Sequence, residues 1–82
     1  MFEIYGTTNC TYCEMAKKLL TVHSEEYEFI DVALNDDVTA AFFKTFPNVS
    51  KVPQVVFDCK DRGYEVHIGG YNELKRWLNH IE

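Results

Sequence analysis

Stretches typical of strands and stretches typical of helices alternate along this chain, and their order limits the folds that it can adopt. Residues 2–5 are mostly apolar and predict a first strand, and residues 15–20 predict a first helix. Residues 27–32 alternate aromatic or aliphatic with acidic side chains and predict a second strand. A right-handed crossover through the helix makes two such strands parallel. This part of the chain therefore predicts a β-α-β unit.

A second helix is predicted after the second strand. Asn35 is a suitable N-cap, and Asp36 places a carboxylate near the positive end of the helix dipole. Apolar residues then recur at helical spacing until Pro47, which ends the pattern. We interpret the phenylalanines of this helix, Phe42 and Phe46, as core residues.

The next segment predicts a β-hairpin. Residues 52–58 and 64–68 have strand patterns, and the turn signal at residues 60–63 joins them as antiparallel neighbours. Pro53 must lie at the start of its strand because proline has no N–H to donate within a ladder.

A last helix follows the hairpin. Gly69 and Gly70 end the fourth strand, and Asn72 is positioned to cap the helix. Apolar residues at i, i+3, i+4 and i+7 mark the face that packs on the sheet: Leu74, Trp77, Leu78 and Ile81. The predicted order is β-α-β-α-β-β-α, an α/β fold that forms a single domain over residues 1–82.

Two cysteines, Cys10 and Cys13, lie where the first strand gives way to the first helix. Residues three apart on a helix have Cβ atoms about 5–6 Å apart, close to the separation that a disulfide needs. Cys10, at the helix start, faces unpaired N–H groups that favour a thiolate, so it is the candidate nucleophile. Cys13 lies almost a turn further in and is the candidate resolving thiol.

Two other interpretations of the pair are weaker. A structural zinc site needs four ligands, and beyond the pair the chain offers Cys59 and the scattered His23, His67 and His80. A purely structural disulfide across so short a loop removes little entropy from the unfolded chain. We therefore favour a redox-active pair without a metal, and we interpret Cys59 as a bystander and His23 and His67 as surface or packing residues.

Composition narrows the class of protein. A chain of 82 residues with 46% hydrophobic residues forms a core without several disulfides. The net charge of −5, with eight basic residues spread along the chain, argues against a nucleic-acid partner. The sequence contains no apolar stretch of about 18 residues and no signal-like segment. Three cysteines, an odd and small number, do not suit a secreted protein that is stabilised by several disulfides. We expect a cytoplasmic monomer that does not associate with membranes.

Three short motifs, taken in order, connect the chain to a known family. They are Cys10-Thr11-Tyr12-Cys13, Val52-Pro53-Gln54 and Ile68-Gly69-Gly70-Tyr71. Each motif alone is weak, but together they resemble the glutaredoxins over essentially the whole chain, the small bacteriophage type in particular. The resemblance implies a thioredoxin fold, with a mixed four-stranded sheet in the order 2-1-3-4 and helices on both faces. For a phage-encoded chain, the cytoplasm is that of the host.

The resemblance also implies a site for a thiol substrate. The bond before Pro53 would be cis, and the backbone of Val52 would pair with the substrate. Tyr12 would flank the bound thiol, and the start of the last helix would bind the γ-glutamyl carboxylate of glutathione. The substrate-binding residues implied in this way are Thr11, Tyr12, Val52, Pro53, Gly69, Gly70, Tyr71 and Asn72.

Some residues depart from the family pattern. Thr11 stands in place of the usual proline between the cysteines, and Thr7 stands where many members have a lysine. Lys51 replaces a common threonine and places positive charge near the site.

The resemblance implies a glutathione-dependent dithiol oxidoreductase. Cys10 would attack a protein disulfide or a glutathionylated thiol, and Cys13 or glutathione would resolve the mixed disulfide. Ribonucleotide reductase is a candidate client. Two alternatives stay open: a glutaredoxin-like thioredoxin reduced by a thioredoxin reductase, and an iron–sulfur carrier in which two copies share a cluster through Cys10 and glutathione.

Overall fold

The secondary-structure elements follow one another in the predicted order. The computed structural model describes residues 1–49 and 51–81, with the side chains of residues 80 and 81 left out, so the predicted core role of Ile81 lies outside this part. Within it, the strands are β1 (Phe2–Gly6), β2 (Tyr27–Asp31), β3 (Gln54–Cys59) and β4 (Tyr64–Gly69). The helices are α1 (Thr11–Val22), α2 (Asp36–Thr45) and α3 (Tyr71–Ile81). None of these described helices is long and apolar enough to cross a membrane.

The four strands form one mixed sheet in the order β2-β1-β3-β4. β1 and β2 are parallel, with Ile4 opposite Phe29, because the chain crosses over through α1 between them. β3 runs antiparallel to both β1 and β4, and a short turn is enough to join β3 to β4. The predicted thioredoxin fold and its strand order are confirmed.

Helices cover both faces of this sheet. On one face, α1 and α3 enclose a cluster made of Phe2, Ile4, Ala16, Leu20, Val55, Leu74 and Leu78. On the other face, α2 encloses Val32, Phe42, Phe46 and Val56. Side chains alternate along a strand, so the neighbours Val55 and Val56 belong to opposite clusters. The predicted core role of Phe42 and Phe46 is confirmed.

β3 starts two residues later than the sequence predicts. The ladder begins at Gln54, which pairs with Tyr5 of β1. Val52 and Pro53 precede the strand instead of opening it, and the bond between them is cis. Since proline cannot donate within a ladder, the first hydrogen-bonding residue of the strand is the one after it.

α3 starts two residues earlier than a cap at Asn72 allows, so that prediction is wrong. The helix begins at Tyr71, and the carbonyl of Gly70 accepts the first helical bond from Leu74 N at 2.9 Å. Glu73 reaches back and accepts a hydrogen bond from Gly70 N at 2.8 Å. This is the glutamate half of a capping box, so Gly70 takes the N-cap position without a polar side chain.

β4 contains one residue more than its partner. Val55 pairs with Gly69, but Val56 pairs with His67, so Ile68 is the extra residue of a β-bulge. Gly69 has φ +119°, a conformation that suits glycine. Before the bulge, His67 pairs with Val56 and so lies on the face that α2 covers, where its ring centroid lies 4.7 Å from that of Phe46.

Candidate active site

Cys10 occupies the N-cap position of α1. Its backbone is extended, at φ −108° and ψ 114°, and its carbonyl accepts a hydrogen bond from Glu14 N at 3.1 Å. Its Sγ accepts a hydrogen bond from Cys13 N at 3.2 Å, as an oxygen does in an ordinary N-cap. The sulfur therefore faces the unpaired N–H groups of the first turn while its residue is partly exposed.

Cys13 is fully buried, at 0% exposure. The space for its sulfur comes from Gly6 at the end of β1. A Cβ on Gly6 would lie 2.5 Å from Cys13 Sγ and 3.2 Å from the ring of Phe29. Any side chain larger than hydrogen at position 6 would therefore collide with the thiol.

Burial is the largest influence on the Cys13 thiol and raises its pKa to about 12. A hydrogen bond with Cys10 and the charge of Cys10 also raise this pKa, whereas the backbone N–H of Thr7 and the charge of Lys17 lower it. The same environment that hides the thiol thus keeps it protonated near neutral pH.

Lys17 lies one turn after Cys13 on α1. Its Nζ lies 3.9 Å from the centroid of the Phe29 ring and 3.0 Å from Glu14 Oε1. The same ring borders the space that Gly6 leaves for the sulfur. The ammonium is therefore held on the Cys13 side of the site by an aromatic face and a carboxylate.

A groove of about 390 Å³ is lined in part by Val52, whose carbonyl oxygen lies 3.7 Å from Cys10 Sγ. Its lining residues are Tyr12, Lys51, Val52, Pro53, Gln54, Gly70, Tyr71, Asn72 and Glu73. Six of the eight predicted substrate-binding residues belong to this set, and Thr11 and Gly69 do not. A larger groove of about 570 Å³ follows α3, but its described lining residues include neither Val52 nor Tyr12.

The segment before β3 closes the groove beside Cys10. The Cys10 thiol points at the Val52 carbonyl oxygen, 3.7 Å away. The rings of Tyr12 and Tyr71 lie 5.9 Å apart between centroids. Tyr12 is 56% exposed, so an apolar surface is available next to the sulfur.

Gln54 is the lining residue that the sequence reasoning missed. It is buried, at 7% exposure. Its Nε2 donates to the Lys51 carbonyl oxygen at 3.0 Å, and its Oε1 lies 2.7 Å from His67 Nε2. The sequence signal for its role was an amide side chain directly before three apolar residues of the strand.

The start of α3 forms the far end of the groove and carries a carboxylate of its own. Besides capping Gly70, Glu73 accepts a hydrogen bond at Oε2 from Arg76 Nη2 at 2.9 Å. The hydrogen bond from Gly70 lowers the pKa of the Glu73 carboxyl, and Arg76 lowers it further. The helix start therefore carries a capping hydrogen bond and an ion pair, and both are exposed.

Comparison with known proteins decides the family. The Glutaredoxin family model matches residues 2–61. This chain belongs to the glutaredoxin family. The sequence is 30% identical to the glutaredoxin of Enterobacteria phage T4, over 95% of this chain and 99% of the phage protein. The predicted resemblance is thereby confirmed, and glutaredoxins are thiol-disulfide oxidoreductases that use glutathione.

Solved glutaredoxin structures share the fold. The glutaredoxin from Brucella melitensis is 25% identical, with a TM-score of 0.72, over 96% of this chain and 78% of that one. A buckwheat glutaredoxin in complex with glutathione is 24% identical, with a TM-score of 0.72, over 96% of this chain and 69% of that one.

The third cysteine of this glutaredoxin lies away from the pair. Cys59 is partly exposed at the hairpin end of β3, where it pairs with Tyr64. Within the described residues, no group of three or more His, Cys, Asp or Glu side chains is arranged to hold a metal ion.

Proposed function

We propose that this glutaredoxin is a glutathione-dependent dithiol oxidoreductase that reduces protein disulfides and glutathionylated thiols. The observation that carries the proposal is the unequal placement of the two thiols. Cys10 is partly exposed, caps α1 and faces the groove beside the Val52 carbonyl. Cys13, three residues later in the first turn of α1, is buried. One thiol is placed to meet a substrate, and the other is placed to meet the first thiol.

The first step is attack by the Cys10 thiolate on a glutathione mixed disulfide. A bond forms between Cys10 Sγ and the sulfur of glutathione, the S–S bond of the substrate breaks, and the client leaves as a thiolate that takes up a proton. The N–H of Cys13, 3.2 Å from Cys10 Sγ, supports the negative sulfur before the attack.

The second step uses Cys13, and the first step prepares it. While Cys10 is free, burial is the largest cause that raises the pKa of the Cys13 thiol, and the hydrogen bond and charge of Cys10 add to it. When Cys10 carries glutathione, its charge no longer raises this pKa, while burial still raises it and Thr7 N–H and Lys17 still lower it. The Cys13 thiolate then attacks Cys10 Sγ, closes the Cys10–Cys13 disulfide and releases glutathione as a thiolate. Two further glutathione molecules reduce this disulfide and leave as glutathione disulfide.

The groove supplies recognition for glutathione. The Val52 backbone before β3 offers an N–H and a C=O to an extended peptide. Lys51 lines the groove and places an ammonium where a peptide carboxylate can pair with it. The buckwheat relative, whose structure contains glutathione, supports this ligand class.

The proposed setting follows from the chemistry. A dithiol that glutathione keeps reduced works in a reducing compartment, so we propose the cytoplasm, or the host cytoplasm for a phage-encoded chain. The client would be a protein with a disulfide that re-forms at each turnover, such as ribonucleotide reductase. We propose that the chain acts as a monomeric single domain.

The test is reduction of a glutathionylated peptide by wild type, Cys10→Ser and Cys13→Ser, with NADPH, glutathione and glutathione reductase. We expect Cys10→Ser to lose at least about 100-fold in rate. Cys13→Ser should keep activity on the peptide and lose it on a protein disulfide. Full activity in Cys10→Ser would contradict the assigned roles.

Two parallel measurements separate the alternatives. Turnover with thioredoxin reductase in place of glutathione and its reductase would identify a glutaredoxin-like thioredoxin. Visible absorbance after anaerobic reconstitution with iron and sulfide would identify an iron–sulfur carrier. We expect neither signal.

A further inference from the structure

We propose that His67 is a positioning residue for thiol exchange. Through Gln54 it fixes the backbone of Lys51 and Val52, which forms the wall of the groove beside Cys10. The claim about exchange rests on the function proposed above, while the claim about the backbone stands on the contacts alone.

A chain of three contacts links β4 to the groove. His67 Nε2 lies 2.7 Å from Gln54 Oε1, Gln54 Nε2 donates to the Lys51 carbonyl oxygen at 3.0 Å, and the next carbonyl, that of Val52, lies 3.7 Å from Cys10 Sγ. The imidazole therefore lies two hydrogen bonds from the Lys51–Val52 peptide unit, and the next unit, between Val52 and Pro53, borders the sulfur.

The directions of these bonds follow from the amide. Gln54 uses its N–H group on the Lys51 carbonyl, so the atom that faces His67 is the amide oxygen, an acceptor. The ring nitrogen is then the donor. A buried amide with both ends paired has one orientation, because rotating it would set two acceptors against each other.

His67 is itself held from behind. Pairing with Val56 places the imidazole on the α2 face, where its ring centroid lies 4.7 Å from that of Phe46. Gln54 is 7% exposed, whereas His67 belongs to the exposed residues of β4. Position 67 can therefore be changed without opening the core, and that change acts on the buried amide.

The segment that this chain of bonds restrains is held at one side chain, since Val52 packs against the cluster that α2 covers, but its backbone lies outside the sheet. Lys51 and Val52 lie before β3, outside the ladder that holds Gln54 against Tyr5. Fixing the Lys51 carbonyl limits how the Val52 peptide unit can turn toward the groove. The segment is then ready to pair with a substrate backbone, and the substrate does not have to order it.

Two substitutions separate the hydrogen bond from the ring packing. His67→Phe keeps an aromatic ring against Phe46 and cannot donate to Gln54. His67→Gln keeps an N–H donor of similar reach and removes the ring. Each variant is the control for the other.

The experiment measures kcat/KM for a glutathionylated peptide, the rate of Cys10 alkylation by iodoacetamide, and amide ¹⁵N order parameters of Lys51 and Val52. We expect His67→Phe to lose about 3- to 10-fold in kcat/KM, through KM, which corresponds to one neutral hydrogen bond. Its order parameters should fall at both residues. His67→Gln should stay within about twofold of wild type in every readout. Iodoacetamide is too small to need the groove, so its rate should be unchanged.

Three results would overturn the inference: wild-type order parameters in His67→Phe, a larger loss in His67→Gln than in His67→Phe, or an equal loss of the alkylation rate. Inactive wild-type protein would instead refute the proposed function, and the order parameters would still decide whether His67 fixes the segment.

Discussion

The two cysteines of the first helical turn have the same side chain and opposite surroundings. Cys10 is partly exposed, caps α1 and borders a groove. Cys13, three residues later, is fully buried, and burial raises its pKa to about 12. The difference comes from residues outside the helix. Gly6 makes the space that Cys13 fills, and the segment before β3 makes the wall that Cys10 faces. Spacing alone brings two sulfurs together, and their neighbours divide the work between them.

The largest expected contrast is in reactivity toward a small alkylating reagent. A thiol with a pKa of about 12 has a thiolate fraction on the order of 10⁻⁴ at pH 8. A raised pKa moves thiolate formation to higher pH, so Cys13 alkylation should rise about tenfold per pH unit and continue rising well above pH 9. With limiting iodoacetamide at pH 8, peptide mapping should find Cys10 modified at least about 100-fold faster than Cys13. Equal modification of the two thiols would remove the distinction on which the mechanism depends.

A smaller effect is expected from closing the space behind Cys13. Gly6→Ala puts a Cβ 2.5 Å from Cys13 Sγ, so we expect a loss of about 1–3 kcal/mol in the free energy of unfolding, measured with urea. In a Cys13→Ala background the sulfur is absent, and the added cost of Gly6→Ala should be clearly smaller. The same cost in both backgrounds would mean that the sulfur does not determine the choice of glycine.

The smallest effect concerns the charge beside the buried thiol. Lys17→Met removes an influence that lowers the pKa of Cys13, so less thiolate forms and resolution should slow by about 2- to 5-fold. The measurement is the rate at which glutathione is released from the Cys10 adduct in a single turnover. The reference is the rate of peptide reduction in a Cys13→Ser background, where residue 13 cannot resolve the adduct. Lys18→Met, the same change at the exposed neighbour, is the matched control. Equal slowing in both variants would assign the effect to net charge.

Most of the fold could be predicted because its signals are local. The period of the apolar residues distinguishes strand from helix, and one crossover rule then sets β1 and β2 parallel. The misplaced boundaries have local causes too. β3 waits for Gln54 because Pro53 has no N–H. α3 begins before Asn72 because Glu73 accepts a hydrogen bond from Gly70 N. The glycine therefore takes the cap position, although asparagine is the more usual capping residue.

Some features of the active site follow from local signals in the sequence, and others do not. The placement of Cys10 at the helix start follows from the strand-to-helix boundary, which is a local signal. The importance of Gly6, Lys17 and Gln54 does not follow from a local signal. Each of these residues acts through a contact with a residue of another helix or strand. Such contacts depend on strand order and register, which no single segment contains.

The bulge at Ile68 has a further consequence for the molecule. From the hairpin turn to His67, which faces Val56, the pairing of β4 with β3 is unbroken. The register changes after His67, so that Val55 meets Gly69 and not Ile68. A shift of one residue moves everything that follows it along the partner strand, and here the residues that follow lead into α3. A Cβ on the next residue, Gly70, would lie 3.6 Å from the Pro53 carbonyl oxygen. The inserted residue therefore acts as a phase shift that sets how the start of α3 meets the wall of the groove.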